Sequence, residues 1–178
     1  MMGAGMNASR KLVVILMLAL VSLSGCGYRL TANPDHVSPV TGKNIAVPVF
    51  ANKSYRANLG AFLTESLADE FSRRSGGNLV GEDGAELVLT GAVTSYTNTP
   101  DSYSAADKVR EYRAVITAEA TLTEKKTRKV LWKGTMSWSQ VYPFNSFVAL
   151  QQNSEEAAIR EVCAKLAQQI YERVSAGF

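Results

Sequence analysis

Between residues 112 and 122 every second residue is apolar: Tyr112, Ala114, Ile116, Ala118, Ala120 and Leu122 fall on one side, and Arg113, Thr117, Glu119 and Thr121 on the other. A period of two held this long is the pattern of a β-strand with one covered face and one wet face, because successive side chains point to opposite sides. The charged run 124–129 reads as a turn. Val130, Trp132, Met136 and Trp138 then resume the alternation on one face, so the two runs predict a long antiparallel hairpin. Such a hairpin is apolar on one side, and that side must be covered by another layer.

Two segments can supply the cover. Leu59, Phe62, Leu63, Leu67 and Phe71 recur at spacings of three and four, which predicts a helix over residues 55–74 that ends at Arg73, Arg74 and the permissive pair Gly76-Gly77. Near the C-terminus Ile159, Val162, Cys163, Leu166, Ala167, Ile170 and Val174 form a second apolar stripe, with Asn153 as the expected N-cap and Glu156 three residues on. Residues 45–50 read as a first strand, placed at a sheet edge because Pro48 cannot donate to a ladder. Residues 86–97, rich in Val, Leu and Thr, read as a strand buried on much of both faces, followed by a polar loop over 97–109. The expected order is β-α-β-β-β-α. The fold class is α+β, a two-layer sandwich with an approximately four-stranded mixed sheet and both helices packed on one face.

The N-terminus carries a different message. Arg10 and Lys11 precede an uninterrupted apolar run over 12–21, which is too short for a membrane span of ~20 residues but suits the core of a secretory signal. Leu23-Ser24-Gly25-Cys26 closes the run, with small residues before the cysteine, and resembles the lipobox of bacterial lipoproteins at all four positions. The expected layout is a signal peptide over 1–25, a lipidated Cys26 with a tether over 26–44, and one domain over 45–178. Gly27, rather than Asp, resembles the pattern sorted to the outer membrane. The covalent lipid on Cys26 is the only prosthetic group expected.

Composition narrows the chemistry. Of the formal charge of +3, Arg10 and Lys11 supply two, which leaves the mature part near +1 and argues against nucleic acid as a partner. His36 is the only histidine, and once Cys26 is lipidated only Cys163 remains, so no metal cluster, histidine-based triad or intramolecular disulfide is expected. Cys163 sits in the apolar stripe and reads as a small buried hydrophobe. No nucleophile elbow or phosphate loop is present, and the chain reads as a non-enzyme. Trp132 and Trp138 read as core, and Lys125, Lys126, Arg128 and Lys129 as a solvated hairpin tip.

Cys26-Gly27-Tyr28-Arg29-Leu30, the run Ile45-Ala46-Val47-Pro48-Val49-Phe50 with Asn52, the first helix, and Val109-Arg110-Glu111-Tyr112 together resemble the LPS-assembly lipoprotein family, LptE. That resemblance implies an outer-membrane lipoprotein that plugs an LptD-type β-barrel, facing the periplasm or the barrel lumen, and helps insert lipopolysaccharide into the outer leaflet. It also implies lipopolysaccharide binding through basic residues near one end of the sheet, where Lys108 and Arg110 are the nearest cations. Tyr96, Tyr103, Tyr142, Phe144 and Phe147 flank the loops at that end and are expected to contact the partner or lipid. The 45–50 strand with Asn52 is also similar to the opening strand of the TolB and curli-secretion-channel families, which leaves another envelope assembly lipoprotein, or a purely structural one, as the alternative.

Overall fold

The computed structural model describes residues 39–74 and 77–176. The signal segment, Cys26 and His36 lie outside them. Six strands form one mixed sheet: β1 (Lys43–Ala46), β2 (Ala51–Asn52), β3 (Gly77–Leu79), β4 (Leu87–Tyr103), β5 (Val109–Glu124) and β6 (Val130–Pro143). The order across it is β3-β1-β4-β5-β6, with β2 beside β4. The helices α1 (Leu59–Arg73) and α2 (Val148–Ser175) bury their stripes against one face. This is the expected α+β two-layer sandwich, with the short β2 and β3 added to the sheet.

The β4–β5–β6 antiparallel hairpins carry the fold. On β5 the alternation is realised residue for residue: Ala114, Ile116, Ala118, Ala120 and Leu122 are buried under the helices. The intervening residues form an open polar face, where Thr117 donates to Ser137 at 3.2 Å and Lys53 pairs with Glu119 at 2.8 Å. The Lys53 ammonium holds the Glu119 carboxyl below its usual range.

Several boundaries differ from expectation, each for a local reason. The first strand is split around Pro48, and β1 is internal, paired in parallel with both β3 and β4. Pro48 thus sits in the gap rather than on an edge, and its missing N–H forfeits no ladder bond. In that gap the Phe50 N–H donates to the Thr64 hydroxyl at 2.9 Å, and that hydroxyl donates to the Gly60 carbonyl at 2.8 Å. The first helix starts four residues late because Asn52 organises the preceding turn, its amide donating to the Arg56 carbonyl at 2.7 Å and its side-chain oxygen accepting from Ser54. Val40 is fully buried, so the domain begins inside the stretch assigned to the tether.

Strand β4 runs on to Tyr103 instead of giving way to a loop at residue 97, absorbing Pro100 and Asp101 through register shifts. Of its buried residues, Leu87, Leu89, Val93 and Tyr96 join the core under the helices and only Ala92 is buried outside it, so the strand is not buried on much of both faces. Helix α2 begins at Val148, five residues before Asn153. Its first turn is held from outside, since the Asn145 N–H donates to the Gln151 side chain at 2.7 Å and the Asn145 amide to the Ser154 hydroxyl at 3.1 Å. Trp132 and Met136 pack against the core, but Trp138 is 38% exposed and does not belong to it.

Cys163 is fully buried in α2, and burial pushes its thiol up to about 12, with Arg160 pulling weakly the other way. Burial also raises Tyr96 and Tyr142. All three are kept neutral by the fold, so their contribution is intact below the unfolded-state values and is lost as pH rises through them. Stability is therefore expected to fall steadily above about pH 9. Below that, Cys163 in the folded chain should react with a thiol reagent at least ~100-fold more slowly than in urea, because only an exposed thiolate attacks. Comparable rates in the two states would show that the helix layer opens around it.

Candidate functional site

The end of the sheet where β4 turns into β5 is built by a tight hairpin. The Ser104 N–H donates to the Lys108 carbonyl at 2.7 Å, the Asp107 N–H returns to the Ser104 carbonyl at 3.0 Å, and Asp107 takes a left-handed φ of 53°. The Ser104 hydroxyl also accepts from the Lys108 N–H at 3.2 Å. Backbone bonds thus fix Lys108 while its side chain stays exposed, and Arg110 two residues on is exposed as well.

The nearby carboxylates are largely engaged elsewhere. Asp101 pairs with Arg113 at 2.6 Å, and Glu111 accepts from the Ser102 hydroxyl at 2.7 Å. Among the described residues, Lys108 and Arg110 take part in none of the ion pairs, and Asp107 in the turn is the adjacent acid. Two cations with no acidic partner keep their full attraction for an external anion.

Beside them lies apolar surface. The Phe144 N–H donates to the Arg110 carbonyl at 2.8 Å, which brings the segment after β6 against the same end. Tyr112 stacks on Tyr142 at 5.9 Å between ring centroids and meets Phe144 at 6.4 Å. Tyr103, Phe144 and Phe147 are exposed, Phe147 at 72%, and so are Val148 and Leu150 in the first turn of α2. So many exposed apolar side chains at one end are uncommon on a domain that nothing covers.

The five aromatics expected here therefore divide. Tyr96 and Tyr142 are core residues, 3% and 4% exposed, and the expected surface contact does not apply to them. Each hydroxyl has an internal partner: Tyr96 donates to Glu155 at 2.8 Å, and Tyr142 accepts from the Asn98 amide at 2.7 Å. Arg56 closes the first pair at 3.4 Å from Glu155, and the Tyr55 ring lies 5.5 Å from that of Tyr96, so this network ties the second turn of α2 to the sheet. Val148 and Leu150 were not foreseen at the site, because the helix was expected to start beyond them. Among the described residues no cluster of His, Cys, Asp and Glu is arranged to hold a metal ion, and no helix is long and apolar enough to cross a membrane.

The opposite end differs in kind. Lys125 at the β5–β6 tip donates to the carbonyls of Glu82 and Asp83, and so is part of the architecture.

Across known proteins, the family model for lipopolysaccharide assembly, LptE, matches residues 42–174, nearly the whole described domain. The chain belongs to the LptE family. It is therefore a lipopolysaccharide-assembly lipoprotein of the cell envelope, from a family of non-enzymatic assembly components. Solved structures agree on the fold. Uncharacterized lipoprotein B from Nitrosomonas europaea superposes with a TM-score of 0.55 at 18% identity, covering 80% of this chain and 88% of that one. PelC from Paraburkholderia phytofirmans, crystallised as a dodecamer, gives 0.52 at 15% identity, covering 79% and 94%. No curated protein matches the sequence.

Proposed function

We propose that this LptE-family chain is anchored in the outer membrane through lipid on Cys26, plugs an LptD-type β-barrel, and contacts lipopolysaccharide with the β4–β5 end of its sheet. The observation that carries the contact is the pairing of Lys108 and Arg110, neither engaged by an acid, with the exposed apolar patch of Tyr103, Phe144 and Phe147. Phosphorylated lipid A is an anion bearing acyl chains, and it needs both kinds of surface. The polar open face of the sheet suits the aqueous lumen of a barrel, whose inner wall is polar.

The test is binding of the full chain to lipopolysaccharide after Lys108→Ala with Arg110→Ala. An exposed ion pair contributes only ~0.2–1 kcal/mol, whereas a charge-assisted contact shielded from water contributes ~1.5–3. Affinity should therefore fall about ten-fold or more if the two cations meet phosphate in a closed contact. The control is Lys126→Ala with Lys129→Ala at the far tip, which removes the same charge and spares the structural Lys125. Equal weakening by the control would reduce the effect to nonspecific electrostatics and remove the site.

A further inference from the structure

The chain enters the domain at one end of the sheet only. Val40 is fully buried and its carbonyl accepts from the Lys43 N–H at 3.3 Å, which fixes the entry point just before β1. Ile45 pairs with Leu87 and Leu87 with Glu124, so β1 begins level with the β5–β6 turn, at the end away from Lys108 and Arg110. Strand β4 has 17 residues and is about 50 Å long at ~3.3 Å each. The 14 residues from Gly27 to Val40 reach about the same distance at full extension. To bring the far end of the sheet beside the leaflet that holds Cys26, all of them would have to be drawn out along the domain, at an entropic cost for each. The β5–β6 end needs none of that. A sheet of about 50 Å also exceeds a bilayer of ~40–45 Å, so a chain that plugs a barrel protrudes from it, and the entry point selects the β5–β6 end as the one nearest the anchored leaflet.

That end carries a cationic tip held by its own bonds. The Glu124 N–H donates to the Lys129 carbonyl at 2.9 Å, and the Lys125 N–H to the Glu86 carbonyl at 2.8 Å. The Thr127 hydroxyl donates to the Glu124 carboxylate at 2.5 Å and accepts from the Lys129 N–H at 3.3 Å. Lys125 is spent on the carbonyls of Glu82 and Asp83, and the acids of those two residues flank it. Glu86 accepts from the Asn44 N–H at 3.1 Å. Lys126, Arg128 and Lys129 are exposed and, among the described residues, join no ion pair. Arg128 has a φ of 59°, a left-handed backbone that glycine adopts freely and arginine only at a cost. Glycine would close this turn without strain, yet a cation stands there, and strain retained at an exposed position points to use.

We propose that Lys126, Arg128 and Lys129 sit on the anionic phospholipid headgroups of the leaflet that holds the lipid on Cys26. The contact depends on that lipidation and uses the end of the sheet opposite to the proposed lipopolysaccharide contact. Each cation near an anionic surface strengthens the attraction by roughly five-fold. Salt confines the effect to within about 10 Å of the surface, so the tip engages only where the anchor holds it beside a bilayer. Three cations at one end then orient the domain, with Lys108 and Arg110 turned away from the anchored leaflet.

The test uses the full chain, isolated from membranes with its lipid and reconstituted into vesicles of phosphatidylcholine alone or with an equal share of phosphatidylglycerol. Val130→Cys, exposed beside the tip and outside its side-chain bonds, carries a fluorophore, and the quencher is a nitroxide on the lipid headgroup. Buried Cys163 does not take the label. The same fluorophore on Ala106→Cys, in the exposed turn at the far end, is the comparison. The tip label should be quenched in the phosphatidylglycerol vesicles, freed by molar salt, and unquenched in phosphatidylcholine, with the Ala106 label unquenched throughout. Lys126→Ala with Arg128→Gly and Lys129→Ala, where glycine keeps the left-handed turn, should lower the ratio of bound to free tip by about a hundred-fold. Equal quenching in the two vesicles, quenching that survives in the triple variant, or stronger quenching at Ala106 overturns the proposal. A chain that floats with the vesicles while its tip stays unquenched overturns it and leaves the anchor standing, whereas a chain that does not float removes the lipid on Cys26 and this contact with it.

Discussion

Gly60→Ala is expected to destabilise the domain by about 2–3 kcal/mol, although helix propensity alone argues for a gain of ~1 kcal/mol when alanine replaces glycine inside a helix. The two effects have opposite signs, so the measurement decides between them. A Cβ on Gly60 would stand 2.1 Å from the Phe50 carbonyl oxygen, far inside contact distance. That oxygen is backbone, and it cannot swing away while the Phe50 N–H is held by Thr64 at 2.9 Å. The ring of the same residue is pinned from the other side: a Cβ on Gly91 would meet Phe50 Cε1 at 2.3 Å and the Glu119 carbonyl oxygen at 2.3 Å. Phe50 is therefore wedged between the start of α1 and the middle of β4, and two glycines make the room. Thermal unfolding should show Tm lower by roughly 5–10 °C for a domain of this size. Gly60→Ala should cost as much in a Phe50→Ala background, because the clash is with the backbone and not the ring. An unchanged or higher Tm would mean that the first strand and α1 can slide apart.

Those two glycines illustrate what was and was not legible from residues alone. One-sided patterns were readable because their cause is local. The alternation of β5 and the stripes of α1 and α2 repeat with the period of their own backbone, and each buried face follows from it. Contacts made across the fold left no such trace. Tyr96 and Tyr142 flank polar loops and so suggest partner or lipid contact, yet their hydroxyl partners are Glu155 and Asn98, 59 and 44 residues away in sequence. The extension of β4 past Thr97 runs through Asn, Pro and Asp, a composition that argues against a strand, and it exists because β5 supplies a partner for it. The early start of α2 depends on side chains of Asn145, Gln151 and Ser154 that no N-terminal capping pattern announces. The exposure of Lys108, Arg110, Tyr103, Phe144 and Phe147 was legible, since charged and aromatic residues next to turn chemistry are visible in the sequence. Val148 and Leu150 were hidden by the misplaced helix start.

Replacing Cys26 by serine is expected to abolish lipid attachment outright, the largest change any single substitution here should produce. The residue lies at the end of a signal-like segment, Leu23-Ser24-Gly25-Cys26, and a thioether-linked lipid requires its sulfur. Cys163, the only other cysteine, is fully buried in α2 and cannot substitute. Among the described residues no helix is long and apolar enough to cross a membrane. Each buried methylene adds ~0.8 kcal/mol, a single acyl chain binds only marginally, and several together anchor almost irreversibly. Growth with a radioactive fatty acid should therefore label the native chain and Cys163→Ser equally, leave Cys26→Ser unlabelled, and leave that variant at the mass of the unprocessed precursor. The Cys163→Ser arm separates loss of the acceptor from a general effect of removing a thiol. Equal label in Cys26→Ser would sink the lipoprotein assignment of this residue and place the acyl group elsewhere on the chain.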